Sequence, residues 1–127
     1  KTLSEIYHTQ LDPTISYLHE PGFRRFSLSL DLAEVFKPLI GDRLIFSLLN
    51  RNQITENSFK KELNFLHLKK EASKLIVNEF ESRMKKTIMH KELGRQVSYQ
   101  YLMRLEAYKL IKHIIGEKEY EGFRIWW

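Results

Sequence analysis

The 127-residue sequence contains no cysteine, only five glycines and only three prolines. Without cysteine there is no disulfide framework, no zinc ribbon and no thiol nucleophile, and a reducing compartment such as cytoplasm is compatible with that absence. No glycine-rich phosphate loop is present, which excludes nucleotide-binding folds built on one for this stretch, and no serine sits in a nucleophile-elbow pattern. No apolar run approaches the ~20 residues that a membrane-spanning helix needs. No charged stretch leads into an apolar core with a cleavage site, so no secretory leader is visible. No segment alternates apolar and polar residues for long enough to predict a strand.

What is present is a hydrophobic fraction of 43%, enough for a packed core, and a formal charge of +5 from 21 basic and 16 acidic residues. The charge is uneven. Residues 1–57 hold 6 basic and 7 acidic side chains, residues 58–113 hold 13 and 6, and the last fourteen hold 2 and 3. A basic field in the middle and late helices therefore adjoins a more acidic first third. Such a field reads either as a solvated helical surface or as an electrostatic footprint for a nucleic-acid backbone. An acidic island beside it also suits a phosphodiesterase, where carboxylates hold a cation and basic residues hold phosphates. The chain opens at Lys1 rather than Met, on an already amphipathic stretch, which predicts a piece of a longer protein.

Helical periodicity dominates the pattern and predicts an all-α bundle around a buried central helix, in one domain spanning 1–127. Residues 2–9 read as the tail of a helix. Asp12 and Pro13 then start a short helix, with Ser16 in its first turn, that Pro21 and Gly22 end. A loop rich in Arg and aromatics follows, Gly22-Phe23-Arg24-Arg25-Phe26. Ser27 or Ser29 caps a long helix over about 29–51, apolar on so many sides that it reads as buried, with Pro38 predicting a kink. Thr55 to Ser58 forms a polar turn and a short piece follows at 59–63. A third helix covers about 68–90, with Ala72, Ile76, Phe80, Met84 and Ile88 spaced by four. Gly94 ends that region. Ser98 caps a last helix over about 98–115, with Leu102, Leu105, Tyr108, Ile111 and Ile115 inward and Gly116 terminating it. The aromatic tail from Tyr120 to Trp127 packs back onto the bundle.

Asp31 and Glu34 stand three residues apart near the start of the central helix, which puts both carboxylates on one face. Carboxylates there also favour the helix macrodipole, so the pair reads as a cation site or as simple end stabilisation. Lys37 lies one turn beyond Glu34, placed for an ion pair or a phosphate contact. His19 precedes Asp31 by twelve residues across a Pro-Gly turn. One imidazole with one or two carboxylates is a hard-leaning set suited to Mg²⁺ or Mn²⁺. His8, His67, His90 and His113 have no partner at ligand spacing.

The stretch Leu11-Asp12-Pro13-Thr14-Ile15-Ser16-Tyr17-Leu18-His19-Glu20-Pro21-Gly22, then Arg25 and Ser27 through Asp31-Leu32-Ala33-Glu34-Val35-Phe36-Lys37-Pro38, closely resembles the CRISPR-associated spacer-acquisition integrase. The following Leu39-Ile40-Gly41-Asp42-Arg43 and Leu48-Leu49-Asn50-Arg51 also resemble that family, and the ending Tyr120 to Trp127 is similar to one bacterial branch of it. The resemblance covers essentially the whole chain and implies the all-α catalytic domain, without the family's N-terminal β-rich domain. It implies a metal-dependent DNA endonuclease and integrase that inserts foreign DNA into the repeat array by phosphodiester transesterification. His19 and Glu34 match the metal-binding positions and Asp31 a neighbouring acidic position, the three together forming the catalytic set. Glu34 stands where some members have Asp, and either carboxylate can ligate. Lys37 matches a DNA-contacting position. Arg24 and Arg25, with Arg43, are expected to hold phosphates. The family's remaining Glu ligand lies upstream of His19 and has no match here, which implies an impaired or inactive fragment. The implied partners are branched or duplex DNA, a second copy of the intact protein and a small adaptation partner protein, in a prokaryotic cytoplasm and with no membrane.

Two rival readings stay open. A helical DNA-binding or scaffold module would use the acids only at a helix end, and its DNA binding would ignore both divalent metal and His19→Ala. An RNA or nucleotide phosphohydrolase would turn over small phosphoesters with no preference for branched DNA.

Overall fold

A computed structural model describes residues 11–15, 17–18 and 26–124. Three helical rods and two small antiparallel hairpins make up the described residues. The first rod runs as α1 (Ser27–Phe36), a π-helical segment (Lys37–Asp42) and α2 (Arg43–Asn50). A 3-10 turn (Glu56–Ser58) leads into β1 (Phe59–Glu62) and β2 (Phe65–Leu68). The second rod is α3 (Lys70–Lys85), followed by β3 (Thr87–His90) and β4 (Arg95–Ser98), and the third is α4 (Tyr99–Ile114).

The fold is therefore mixed, and the expected all-α bundle is overturned by the two hairpins. Each strand has four residues, so each offers only two positions per face, too few for a period-2 pattern to stand out. In β3 the four-residue spacing from Ala72 to Ile88 continued a helical pattern by coincidence. Lys86 turns extended there, with φ −60° and ψ 145°, and its carbonyl accepts a bond from Tyr99 N–H at 3.0 Å that closes the hairpin's base. Ile88 pairs with Val97 in the register, and Gly94 takes φ 60° in the connecting turn. In the other hairpin Leu63 holds φ 54° at the tip, a left-handed conformation that costs a leucine about 1–2 kcal/mol.

The first rod is one-sided rather than buried all round. Phe36, Leu39, Ile40, Leu44 and Leu48 are buried, while Ile45, Phe46 and Leu49 are exposed. The rod enters both apolar clusters. Phe36, Leu39 and Ile40 pack with Val97 and Leu102, and Leu44 and Leu48 pack with Ile54 and Ala72. At Pro38, where the sequence predicts a kink, the rod takes a π-helical segment. With no N–H at position 38 the α-helical ladder loses a rung, and the helix widens into i→i+5 bonding.

Neither Ser27 nor Ser29 caps this rod. Phe26 holds the cap position without a side-chain acceptor, and the Pro13 carbonyl takes Leu28 N–H at 3.0 Å instead. Ser27 is fully buried, and its Oγ has no hydrogen-bond partner among the described residues. Asp12 organises a turn at Pro13–Thr14 in place of the expected short helix, accepting from Thr14 N–H at 2.9 Å and Thr14 Oγ1 at 2.7 Å. Those bonds, the hydroxyl's first, hold its carboxyl below the ordinary carboxylate range. The helix expected over 2–9 lies outside the described residues, as does the Pro21–Gly22 loop.

Ser98 caps α4 as expected, accepting from Tyr101 N–H at 3.2 Å, and Gly116 follows the helix at φ 75°. Leu102 is buried, but Tyr108 and Ile115 face solvent. The tail folds back through two contacts. Phe123 stacks on Phe36 with ring centroids 5.7 Å apart, and Glu106 acts as a polar clamp. Glu106 is 1% exposed, and its Oε1 accepts from Tyr120 Oη at 2.7 Å and from Phe123 N–H at 2.8 Å. Lys109 Nζ sits 3.2 Å from its other oxygen. Trp126 and Trp127 lie outside the described residues.

Glu106→Ala removes the acceptor of the Tyr120 hydroxyl and the Phe123 N–H at a half-buried site. It is expected to cost about 3 kcal/mol in urea unfolding, with Glu106→Gln retaining part of the loss. Burial first, and the Glu106 carboxylate second, push the Tyr120 hydroxyl well above its ordinary pKa of 10.0. The folded chain thus holds that proton more tightly than the unfolded chain. Its contribution is complete below pH 10 and drains as pH rises above it. Tyr120→Phe should lower stability near neutrality and flatten the alkaline decline, measured as urea midpoints across pH 8 to 11.

Candidate active site

The acidic stripe sits at the start of the first rod, and its two carboxylates have different surroundings. Asp31 is 7% exposed. Its Oδ2 accepts from Tyr17 N–H at 2.7 Å and from Leu18 N–H at 3.3 Å. A buried carboxylate with two backbone donors has its desolvation compensated, so Asp31 fastens the incoming chain to α1. Together with the Pro13 carbonyl on Leu28 N–H, this bond ties residues 13, 17 and 18 across the helix start.

Glu34 lies one turn further along and is exposed. Lys37 Nζ approaches its two oxygens at 3.2 and 3.3 Å. The side chains are 61% exposed for Lys37 and 46% for Glu34, so this pair adds only about 0–1 kcal/mol and either partner can exchange it for another ion. Lys37 opens the π-helical segment, a geometry frequent at functional sites. Arg43 is half-buried at the first position of α2, nine residues beyond Glu34.

His19, Arg24 and Arg25 lie outside the described residues. Among the described residues no three His, Asp or Glu side chains converge as a metal-binding group. The structure thus brings Asp31, Glu34 and Lys37 onto neighbouring turns of one rod. Asp31's two backbone donors were not legible beforehand, because spacing along a helix says nothing about which loop returns to it. The basic field also differs from expectation: Lys60 and Lys61 stand on β1 and Arg95 on β4, not on helices. Among the described residues no helix is long and apolar enough to cross a membrane.

The comparisons with known proteins agree on one family. The family model for CRISPR associated protein Cas1 matches residues 1–82. A CRISPR-associated endonuclease Cas1 from Fusobacterium nucleatum is 68% identical over 127 residues, covering 100% of this chain and 38% of that protein. A CRISPR-associated protein Cas1 from Methanobrevibacter ruminantium is 58% identical over 125 residues, with 98% and 39% covered. The chain thus spans about two fifths of the length of the curated relatives it matches. The solved structure of a CAS1 protein from Thermotoga maritima superposes with a TM-score of 0.81 at 49% identity, covering 92% of this chain and 36% of that one. A casposase bound to integration product gives 0.80 at 25% identity, with 98% and 37% covered. With its motif block, its rods and its first 82 residues all matching, the chain belongs to the CRISPR-associated Cas1 family.

Proposed function

We propose that this chain carries the greater part of the active site of a divalent-metal-dependent DNA endonuclease and integrase of CRISPR adaptation. The observation that carries the reading is the Asp31 anchor. Its carboxylate takes the N–H groups of Tyr17 and Leu18, so the polypeptide meets the acidic stripe at the residue immediately before His19. The names of the relatives support the activity: one is a CRISPR-associated endonuclease, and the casposase is held with an integration product.

In this reading His19 and Glu34 hold Mg²⁺ or Mn²⁺, a donor set of one imidazole and one carboxylate that suits a hard cation. Glu34 fits the role because its carboxylate is solvent-accessible and, among the described residues, shared with an exposed lysine. The cation supplies charge neutralisation for an in-line exchange at phosphorus. Asp31 is a positioning residue that holds Tyr17 and Leu18 against α1. Lys37 leaves Glu34 for a DNA phosphate, and Arg24, Arg25 and Arg43 hold further phosphates. A further carboxylate, upstream in the intact protein, completes the ligand set, so this stretch alone is impaired. The partners are branched DNA of repeat and spacer precursor, a second copy of the protein and a small adaptation partner, in the cytoplasm.

The test uses the intact protein with Mn²⁺ and branched DNA, scoring cleavage and half-site joining. His19→Ala and Glu34→Ala are expected to lose activity by about 100-fold or more while keeping their circular dichroism spectra. Asp31→Ala should lose both activity and stability, by about 1–3 kcal/mol, since the two backbone donors lose their acceptor. Joining that survives in folded His19→Ala and Glu34→Ala would remove the metal site from the mechanism and leave a DNA-binding scaffold. Lys37→Ala should leave stability within about 0.5 kcal/mol and reduce the salt dependence of DNA binding.

A further inference from the structure

The turn that carries Glu34 lacks one rung of its helical ladder. The last rung of α1 runs from Lys37 N–H to the Ala33 carbonyl. The next would run from residue 38 to the Glu34 carbonyl, and Pro38 has no N–H to give. A proline ring inside a helix also crowds the carbonyl four residues before it, which here belongs to Glu34. The backbone leaves ideal helical angles at Phe36, with φ −100° and ψ −10°, and the π-helical segment starts at the next residue. Glu34 and Lys37 stand on either side of that junction, and their exposed ion pair is too weak to fix it.

Packing on Phe36 holds the junction instead. Phe36 is 2% exposed and lies against Leu39, Ile40, Val97 and Leu102. Phe123 of the tail covers its ring, with centroids 5.7 Å apart and planes 18° from parallel. A ring pair fixes orientation as well as volume, since stacked aromatics favour few relative placements. Phe123 is fixed in turn from α4, where Glu106 Oε1 accepts its N–H at 2.8 Å and the Tyr120 hydroxyl at 2.7 Å. A continuous line of contacts thus runs from a buried carboxylate on α4, through the tail, to the residue beside Lys37 and two past Glu34.

We propose that Phe123 is a positioning residue for Glu34. By holding Phe36, the tail sets the direction in which the Glu34 carboxylate leaves the broken turn, and so its fit to a divalent cation. The inference rests on the metal reading above and adds to it a contribution from a distant segment that never touches the cation. Residues that orient a metal ligand in this way typically change affinity by about 10- to 100-fold when removed.

The test measures Mn²⁺ affinity of the intact protein without DNA, from the electron paramagnetic resonance signal of the free ion. Phe123→Ala is expected to weaken Mn²⁺ binding by about tenfold, and Phe123→Tyr, which keeps the ring, to stay within about twofold of wild type. Phe123→Leu keeps most of the volume and loses the ring, so it weakens binding in the same direction and serves if Phe123→Ala does not fold. Ile54→Ala is the control for lost stability, because it thins the other apolar cluster. It should lower the urea midpoint at least as far as Phe123→Ala while leaving Mn²⁺ affinity within about twofold of wild type. Folding of each variant is checked by circular dichroism. Equal losses of affinity in Phe123→Ala and Ile54→Ala would reduce Phe123 to core packing and overturn the proposal. Wild-type affinity in the folded Phe123 variants, with binding still abolished by Glu34→Ala, would overturn it too and leave the metal reading standing. Mn²⁺ binding unmoved by Glu34→Ala would overturn the metal reading and the proposal together.

Discussion

The first rod must serve two apolar clusters with one inner face, and most other features follow from that. Phe36, Leu39 and Ile40 meet α4 and β4, and a turn later Leu44 and Leu48 meet α3 and Ile54. Pro38 lies within the first set, between Phe36 and Leu39, where an α-helix would miss a hydrogen bond. The π-helical segment absorbs the missing donor and lets the rod continue into both clusters. Since the rod's outer face keeps Ile45, Phe46 and Leu49 in solvent, the fold is a layered half-buried arrangement and not a bundle closed around a central helix.

That rod also orders the chemistry along its length. Its first turns present Asp31 inward to the returning chain and Glu34 outward to solvent, although the two residues stand on one broad face. Burial separates their roles. Asp31 Oδ2 takes two backbone N–H groups, whereas Glu34, among the described residues, pairs with a surface lysine that other ions can displace. Glu106 does for the tail what Asp31 does for the incoming chain, using a buried carboxylate to hold a neighbouring segment.

Much of the local structure was legible where the signal came from side-chain chemistry close in sequence. Ser98 bonding Tyr101 N–H and Gly116 at positive φ are start and stop signals that act within four residues. The same rules failed at Ser27, because a carbonyl fourteen or more residues upstream, that of Pro13, had already taken a helix-start donor. They failed at Ile88 because a four-residue strand and the end of a helix present the same apolar residue at the same spacing. The acidic stripe was legible as a pair, but the division between a buried anchor and an exposed carboxylate was not.

Residue order alone was enough for the family, the three helical stretches in outline, the pairing of Asp31 with Glu34 on one face, and an unevenly basic chain. Motif spacing and helical period are properties of neighbouring residues, so they survive without a structure. The mixed fold, the grip of Asp31 on residues 17 and 18, the Glu106 clamp on the tail and the bare apolar tip of the first hairpin came from three-dimensional packing. Each of those depends on which distant backbone groups need a partner once the apolar clusters have closed, and the linear pattern does not encode that need at any one position.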